Sequence, residues 1–570
     1  MSNLDKPSGS VHAELVAERH QRFLASQGLR TSQGSFYTPL DVVERFVTLA
    51  LESKLNEVVS TSKCLTVIDP ACGTGNFLIV AALQLADRLI ELGCDPHTAI
   101  DHVTEHYIFG IDIDADALDH CASNLSLLTE SRVSTALIRK HLVRANALTT
   151  RSAAAPMQLG LNLADDSPRN WLDLFPDVFS GEAPGFDLVV GNPPFLNQLS
   201  DATKLQPSIS AEMASTHGAM ASKMSNPSTV FVLTAIALAK SSGVIALIQP
   251  LSFLATDDAD AARSLLTSSN AVDYLWVCTE KIFDADIFVC GIVARMGSSA
   301  PVETTIVTGR GLALSTERVA LSQTQGTWSI ALTTSKGFPR IELVTCGVLG
   351  SHCVVSSDFR DQYYGLIDCV SEEEAVAAGL PRLATVGLID PGEFLWGQTS
   401  TKFAKHTYQR PVVAIDRLTP EMKSWAKSKL TPKILVAAQT RVIEAWVDID
   451  GNTLPSVPLM TVLASDHDIW QIAAVLCAPP ISLHAAELYL GAGLSPDALR
   501  LSGRSLLSLP LPADEDAWEI GARKLQLMHA LPAGSSRRDA LIDFGETMCR
   551  AYGVPPDKIM LWWIGRLPRR

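Results

Sequence analysis

Between residues 40 and 300 the apolar positions arrive in two rhythms. Short, mostly apolar runs at 65–68, 107–111, 185–191, 243–248, 274–278 and 288–294 predict buried strands, because a strand covered on both faces has little polar side to show. Between them, Val42, Val43, Phe46, Val47 and Ala50 repeat at helical spacing, and similar stripes run over 77–92, 115–128 and 229–240. A further strand candidate precedes 144–148. Strands alternating with helices predict a doubly wound α/β sheet. Residues 11–30 predict a mostly solvated helix, broken by the turn at 34–39 (GSFYTP).

After about residue 297 the rhythm changes. Short β-like runs, turns and many Ser and Thr residues take over, as at 385–397, 433–438 and 443–448. This predicts a first domain over 1–310, with a helical segment at 1–33, and a second domain of mixed α+β structure over 311–570. Residues 402–430 are expected to form a loop or helical rim of that second domain.

A chain of 570 residues exceeds one ordinary core, and 47% hydrophobic with 19% charged residues is a globular composition. Eleven scattered cysteines include no CxxC pair, which argues against a zinc knuckle or a thioredoxin-type site. The polar start MSNLDKPSGS and apolar windows too short to span a bilayer point to a cytoplasmic protein with no membrane partner. The formal net charge is −15, yet residues 402–441 hold nine basic residues against two acids, +7 locally. Lys402, Arg410, Arg417, Lys423, Lys427, Lys429, Lys433 and Arg441 are the candidate contacts to a polyanion; a solvated face is the plainer reading of such a run.

The candidate chemistry sits where predicted strands end. DLVVGNPPF carries Asn192, Pro193, Pro194 and Phe195 to the end of a buried run. An amide oxygen and a backbone carbonyl can accept hydrogen bonds from an exocyclic amine, the prolines stiffen the backbone, and the ring can stack on a flat heterocycle. VIDPACGTGNFL ends another run on Asp69, followed by Ala71, Gly73 and Gly75 in a turn that lets a ligand approach the backbone. The turn lacks GxGxxG spacing, and an acid just before it would repel a pyrophosphate. It suits the methionine ammonium of S-adenosylmethionine instead. GIDID places Asp112 for the ribose hydroxyls and Ile113 against the adenine, with Asp114 read as the cap of the next helix. Asn146, in RANAL, could face the adenine edge or stabilise a turn.

The order FYTP, DPACGTGNF, GIDIDADAL, RANAL, GNPPF, IFDADIFVCGIVAR resembles the gamma class of DNA adenine-N6 methyltransferases, the TaqI-like group, over about residues 30–300. The resemblance implies a Rossmann-like S-adenosylmethionine-dependent methyltransferase sheet with a C-terminal target-recognition domain. It implies Tyr37 and Thr38 at the methionine end of the cofactor and Asn192 with the Pro193 carbonyl on the target amine. Phe195 stands where a Tyr is commoner, and Phe283 is expected to cover the other face of the base, its alternative being ordinary core. The implied reaction is methylation of an adenine flipped out of double-stranded DNA, without metal or covalent nucleophile; Cys72 then serves packing. The absence of a Pro-Cys dipeptide argues against cytosine-C5 chemistry. Guanine N2 in RNA, protein glutamine and cytosine N4 remain alternatives for the same motif. A catalytically silent specificity subunit is disfavoured by the intact cofactor motifs. A monomer is expected, with any restriction endonuclease a separate protein or absent.

Overall fold

The computed structural model describes residues 38–61, 64–150, 170–195, 211, 213, 215–216, 226–283, 287–298, 303–321, 326–358, 360–373, 379–437, 439–465, 467–493, 495–532 and 534–568. The chain divides into two compact units between Ala331 and Leu332.

The first unit is built on one nine-stranded sheet. Its strands are β1 (Val67–Asp69), β2 (Ile108–Asp112), β3 (Leu142–Arg144), β4 (Phe186–Gly191), β5 (Ala239–Pro250), β6 (Asn270–Cys278), β7 (Val289–Met296), β8 (Thr304–Thr308) and β9 (Ala313–Val319). They lie in the order β3-β2-β1-β4-β5-β7-β6-β8-β9. β1 to β5 are mutually parallel, and β7 enters antiparallel between β5 and β6. The doubly wound α/β sheet expected from the apolar rhythm is present. β8 and β9 extend it past residue 310, so the compact unit ends at Ala331 rather than near 310.

Leu40–Thr61, Asn76–Glu91 and Ala115–Leu128 share a hydrophobic core with one face of the sheet. Phe46 meets Trp276 with ring centroids 5.9 Å apart, and both side chains are fully buried. Burying each such ring contributes about 1.5–3 kcal/mol. Pro96–His106 was missed by the hydrophobic pattern; Asp95 caps it by accepting from Thr98 N, and Pro96 opens its first turn. Because the central strands are parallel, the carboxyl ends of β1, β2 and β4 share one edge, with Asp69 opposite Gly110 and Gly191 opposite Leu247.

The second unit is mixed α+β. A four-stranded sheet joins Cys353–Ser357, Met460–Ala464, Lys433–Ala437 and Glu444–Asp448. Residues 402–430, expected as a loop or helical rim, form a hairpin (Thr401–Phe403 with His406–Tyr408) and the strand Pro411–Val413, which were not expected, and the helix Pro420–Lys429, which agrees with the helical alternative. Most of the chain from Ile469 onward is helical, in Ile469–Cys477, Pro479–Tyr489, Glu515–His529, Ser535–Ala551 and Pro556–Arg566. Among the described residues no single helix is long and apolar enough to cross a membrane.

Candidate active site

β1 delivers Asp69 to the sheet edge, where its side chain is almost completely buried. Oδ1 accepts from Ala71 N at 2.9 Å. Loss of hydration, reinforced by the charge of Asp112, pushes the carboxyl up to about 8. The carboxylate lies across the end of β4: a Cβ at Gly191 would sit 2.6 Å from Asp69 Oδ1, so only glycine leaves room there. The next turn runs through Gly73 (φ 51°) and Gly75 (φ 94°), backbone angles that favour glycine. Gly75 opens the helix Asn76–Glu91, and Cys72 is buried behind the turn, near Cys121.

Asp112 ends β2 beside that turn. Its Oδ2 accepts from Gly73 N at 2.8 Å and its Oδ1 from Asp114 N at 2.9 Å. Two backbone bonds aim the carboxylate and leave each oxygen a second lone pair. Asp114 caps the helix Ala115–Leu128, accepting from Asp116 N and Ala117 N. Ile113, between the two acids, is 67% exposed, an unusual position for a large apolar side chain. Asn146 follows β3; its Oδ1 accepts from Leu148 N at 3.1 Å, the turn-stabilising bond, which leaves its NH2 as the group free to face a ring nitrogen.

Asn192 continues from β4. Its Nδ2 donates to Thr38 Oγ1 at 2.9 Å, which fixes the amide plane. Its Oδ1 is buried and has no hydrogen-bond partner among the described residues. Pro193 is buried, Pro194 is exposed, and Phe195 is half-buried against the core that contains Phe283. The edge therefore holds an aimed, unsatisfied acceptor next to a stackable ring. Tyr37 lies outside the described residues. Thr38 gains a positioning contact that its sequence neighbourhood could not show, because its partner is 154 residues away. Gln249, near the end of β5, was not anticipated: it is fully buried, and both amide atoms lack a partner among the described residues.

Two of the basic residues proposed as polyanion contacts are corrected. Lys429 is buried, with Nζ 3.0 Å from Asp358 Oδ1 and 2.9 Å from Ser356 Oγ. Lys433 is buried against Asp448, and loss of hydration lowers its ammonium from the usual lysine range. Both ammonium groups serve the interior of the second unit and are not available to phosphates. Lys402, Arg410, Arg417, Lys423, Lys427 and Arg441 are exposed.

Residues 106–283 match the Eco57I restriction-modification methylase family model, a span that runs from β2 to Phe283. The methylase subunit of the type I restriction enzyme EcoEI of Escherichia coli is 30% identical over 123 residues, 21% of this chain; the match covers 22% of that relative's length. Among solved structures, the type IIL restriction-modification enzyme MmeI, determined in complex with DNA, aligns over 96% of this chain and 77% of its own, with TM-score 0.55 and 12% identity. A nuclease-deletion mutant of the type ISP enzyme LlaGI, with a DNA substrate mimic, aligns over 90% of this chain and 48% of its own, with TM-score 0.52 and 12% identity. The cofactor of this fold and family is S-adenosylmethionine, and the edge fits it: a buried acid before a glycine turn, an aimed carboxylate on the next strand and an exposed Ile113 beside it. Residues 106–283 are thus similar to the Eco57I restriction-modification methylases, and the sheet that carries them has the fold that MmeI shares.

Proposed function

We propose that this chain methylates the N6 amine of an adenine swung out of double-stranded DNA. The observation that carries the reading is Asn192: one side of its amide is tied to Thr38, and its buried Oδ1 has no partner. A buried unpaired acceptor costs about 1–3 kcal/mol, and an incoming N–H would remove that cost. The likeness to MmeI over nearly the whole chain, a restriction-modification enzyme determined in complex with DNA, supports DNA as the substrate.

Adenine N6 is a poor nucleophile because its lone pair is delocalised into the ring. Asn192 Oδ1 and the Pro193 carbonyl would each accept an amine hydrogen and draw the nitrogen toward a tetrahedral arrangement, freeing the lone pair. Positive charge grows on those hydrogens during transfer, so the two bonds strengthen most in the transition state. Phe195, with Phe283 on the other face, would stack on the extruded base; such stacking is worth roughly 1–3 kcal/mol per base and offsets the cost of unpairing. Asp69, Ala71, Gly73 and Gly75 would hold the methionine end of the cofactor together with Tyr37 and Thr38, Asp112 the ribose, and Ile113 and Asn146 the adenine. S-adenosylmethionine would supply the sulfonium methyl, leaving as the thioether S-adenosylhomocysteine when the C–S bond breaks and the N–C bond forms, and the amine would give up one proton to water.

Long-read sequencing of DNA from a methylation-free bacterial host expressing the chain tests this. N6-methyladenine at one recurrent motif is the expected result. A soluble protein that binds S-adenosylmethionine and leaves host DNA unmodified would overturn it.

A further inference from the structure

In the second unit, Trp396 carries two guanidinium groups: Arg382 Cζ lies 5.0 Å and Arg410 Cζ 5.2 Å from the indole centroid. The indole is itself fixed, with Nε1 donating to Pro411 O at 2.8 Å. Trp396 and Arg410 flank the hairpin Thr401–Phe403/His406–Tyr408, whose base is closed by Gly397 N to Gln409 O at 3.1 Å and by Gln409 Nε2 to Gly397 O at 3.2 Å. The hairpin buries Thr401 and Phe403 and turns Lys402 and Thr407 outward. Its tip, Ala404 (φ 47°) and Lys405 (φ 69°), holds left-handed backbone angles without glycine, a strain that persists where the surroundings impose it.

We infer that Arg382 and Arg410, stiffened by Trp396, read guanine edges in the DNA that the chain methylates; the inference rests on the proposed DNA reading. A guanidinium fork matches the O6 and N7 acceptors of guanine, and stacking removes much of the freedom the fork would otherwise lose on binding. Charge decides against the alternative of a phosphate clamp. Glu373 pairs with Arg410 at 3.3 Å, and Glu372 accepts from the backbone N–H groups of Gln409 and Arg410. Two carboxylates beside two guanidiniums leave no net attraction for a phosphate. The same arrangement fits a G·C pair, where guanine accepts from arginine and the cytosine amine donates to a carboxylate. Arg382 opens on a cavity of about 270 Å³ that Glu373 and Asn452 also line. The outward Lys402 and Lys405 supply phosphate contacts on the same ribbon.

The test is the methylated motif of host DNA for wild type, Arg382→Lys, Arg382→Gln and Trp396→Ala, each checked for a wild-type melting temperature. Arg382→Lys keeps the charge and loses the fork, so discrimination for guanine at one motif position should fall about 10- to 100-fold. Arg382→Gln should shift that position toward adenine. If Trp396→Ala does not fold, the two Arg382 variants still decide. Unchanged motifs in both, or a wild-type motif without guanine, would overturn the inference and leave the methyltransferase reading intact. Absence of DNA methylation by the wild type would instead count against that reading itself.

Discussion

The carboxyl edge of the catalytic sheet and the four-stranded sheet of the second unit treat buried polar groups in opposite ways. At the catalytic edge, Asn192 Oδ1 and both amide atoms of Gln249 are buried without partners, and the Asp69 carboxyl is driven up to about 8 by lost hydration. In the second unit the buried ammonium groups arrive already matched, Lys429 with Asp358 and Lys433 with Asp448. An unpaired buried group raises the free energy of the folded chain and is retained where a ligand completes it. A matched pair fixes the arrangement of strands and leaves nothing to bind. Among the described residues, buried atoms without partners also occur away from the site, as at Thr104 Oγ1, Asp358 Oδ2 and Glu393 Oε1, so the missing partner of Asn192 Oδ1 is a functional signal because it lies at the strand edge that also carries Asp69 and Asp112.

The largest effect should come from breaking a matched pair. Asp448 accepts from Lys433 Nζ, from Thr453 N at 3.0 Å and from Asn452 N at 3.3 Å. Asp448→Ala strands the ammonium with Thr431 O as its remaining partner. Destabilisation of about 3–5 kcal/mol is expected, read as a lower denaturation midpoint. Replacing both residues, Lys433→Met with Asp448→Leu, should restore much of that loss. A double variant as weak as Asp448→Ala alone would show that the pair contributes more than its own satisfaction.

The counterpart at the catalytic edge is Asn192→Ala. Removing an acceptor whose bond strengthens most in the transition state should cut single-turnover methyl transfer by about 100- to 1000-fold. Cofactor affinity by calorimetry should stay near wild type, and the melting temperature should fall only by the worth of the single Nδ2–Thr38 Oγ1 hydrogen bond, about 0.5–1.5 kcal/mol, since Oδ1 has no bond to lose. A large fall in melting temperature would place Asn192 among the structural groups and collapse the contrast.

Asp69 sharpens the comparison through pH. Its folded value, about 8, lies above the ordinary carboxylate value near 3.9. Between those values the folded chain keeps a proton that the unfolded chain has released, so the stabilising contribution is full below about pH 4 and is lost as pH rises to 8. Asp69→Asn cannot ionise, and its melting temperature relative to wild type should rise across that window. Binding the cofactor's ammonium requires the ionised form. Wild type should then release close to one proton on binding S-adenosylmethionine at pH 7, measured by calorimetry in buffers of different ionisation enthalpy, and Asp69→Asn should release none and bind weakly. Equal proton release by both proteins would remove Asp69 from the ammonium site.

Much of the catalytic edge could be read from the chain because parallel strands buried on both faces spell themselves as apolar runs, and the residues that end them (Asp69, Asp112 and Asn192) stand next to those runs. What completes the edge could not be read. Thr38 meets Asn192 across 154 residues, and the missing hydrogen-bond partners of Asn192 Oδ1 and Gln249 are a property of packing. The second unit was harder for the same reason. Its central sheet joins Cys353–Ser357 to Met460–Ala464, strands more than 100 residues apart, so local pattern carried little of its topology. The basic run at 402–441 misled because a lysine's charge is visible in sequence and its distant partner is not: Asp358 lies 71 residues before Lys429.

The smallest expected effects separate the lysines of that run. Lys423 and Lys427 stand exposed on the helix Pro420–Lys429, and Lys429 closes the same helix from the inside. If the helix faces DNA, Lys423→Ala and Lys427→Ala should each weaken binding to every duplex alike and lower the slope of log affinity against log salt by about 1. Neither should move the melting temperature or the methylated motif. Lys429→Ala should do the reverse, lowering the melting temperature because Asp358 is left buried beside Ser356, while the salt slope of the protein that remains folded stays unchanged. A reduced slope for Lys429→Ala would mean that the buried pair opens when DNA binds, and the division between matched and unmatched groups would then be a property of the free protein alone.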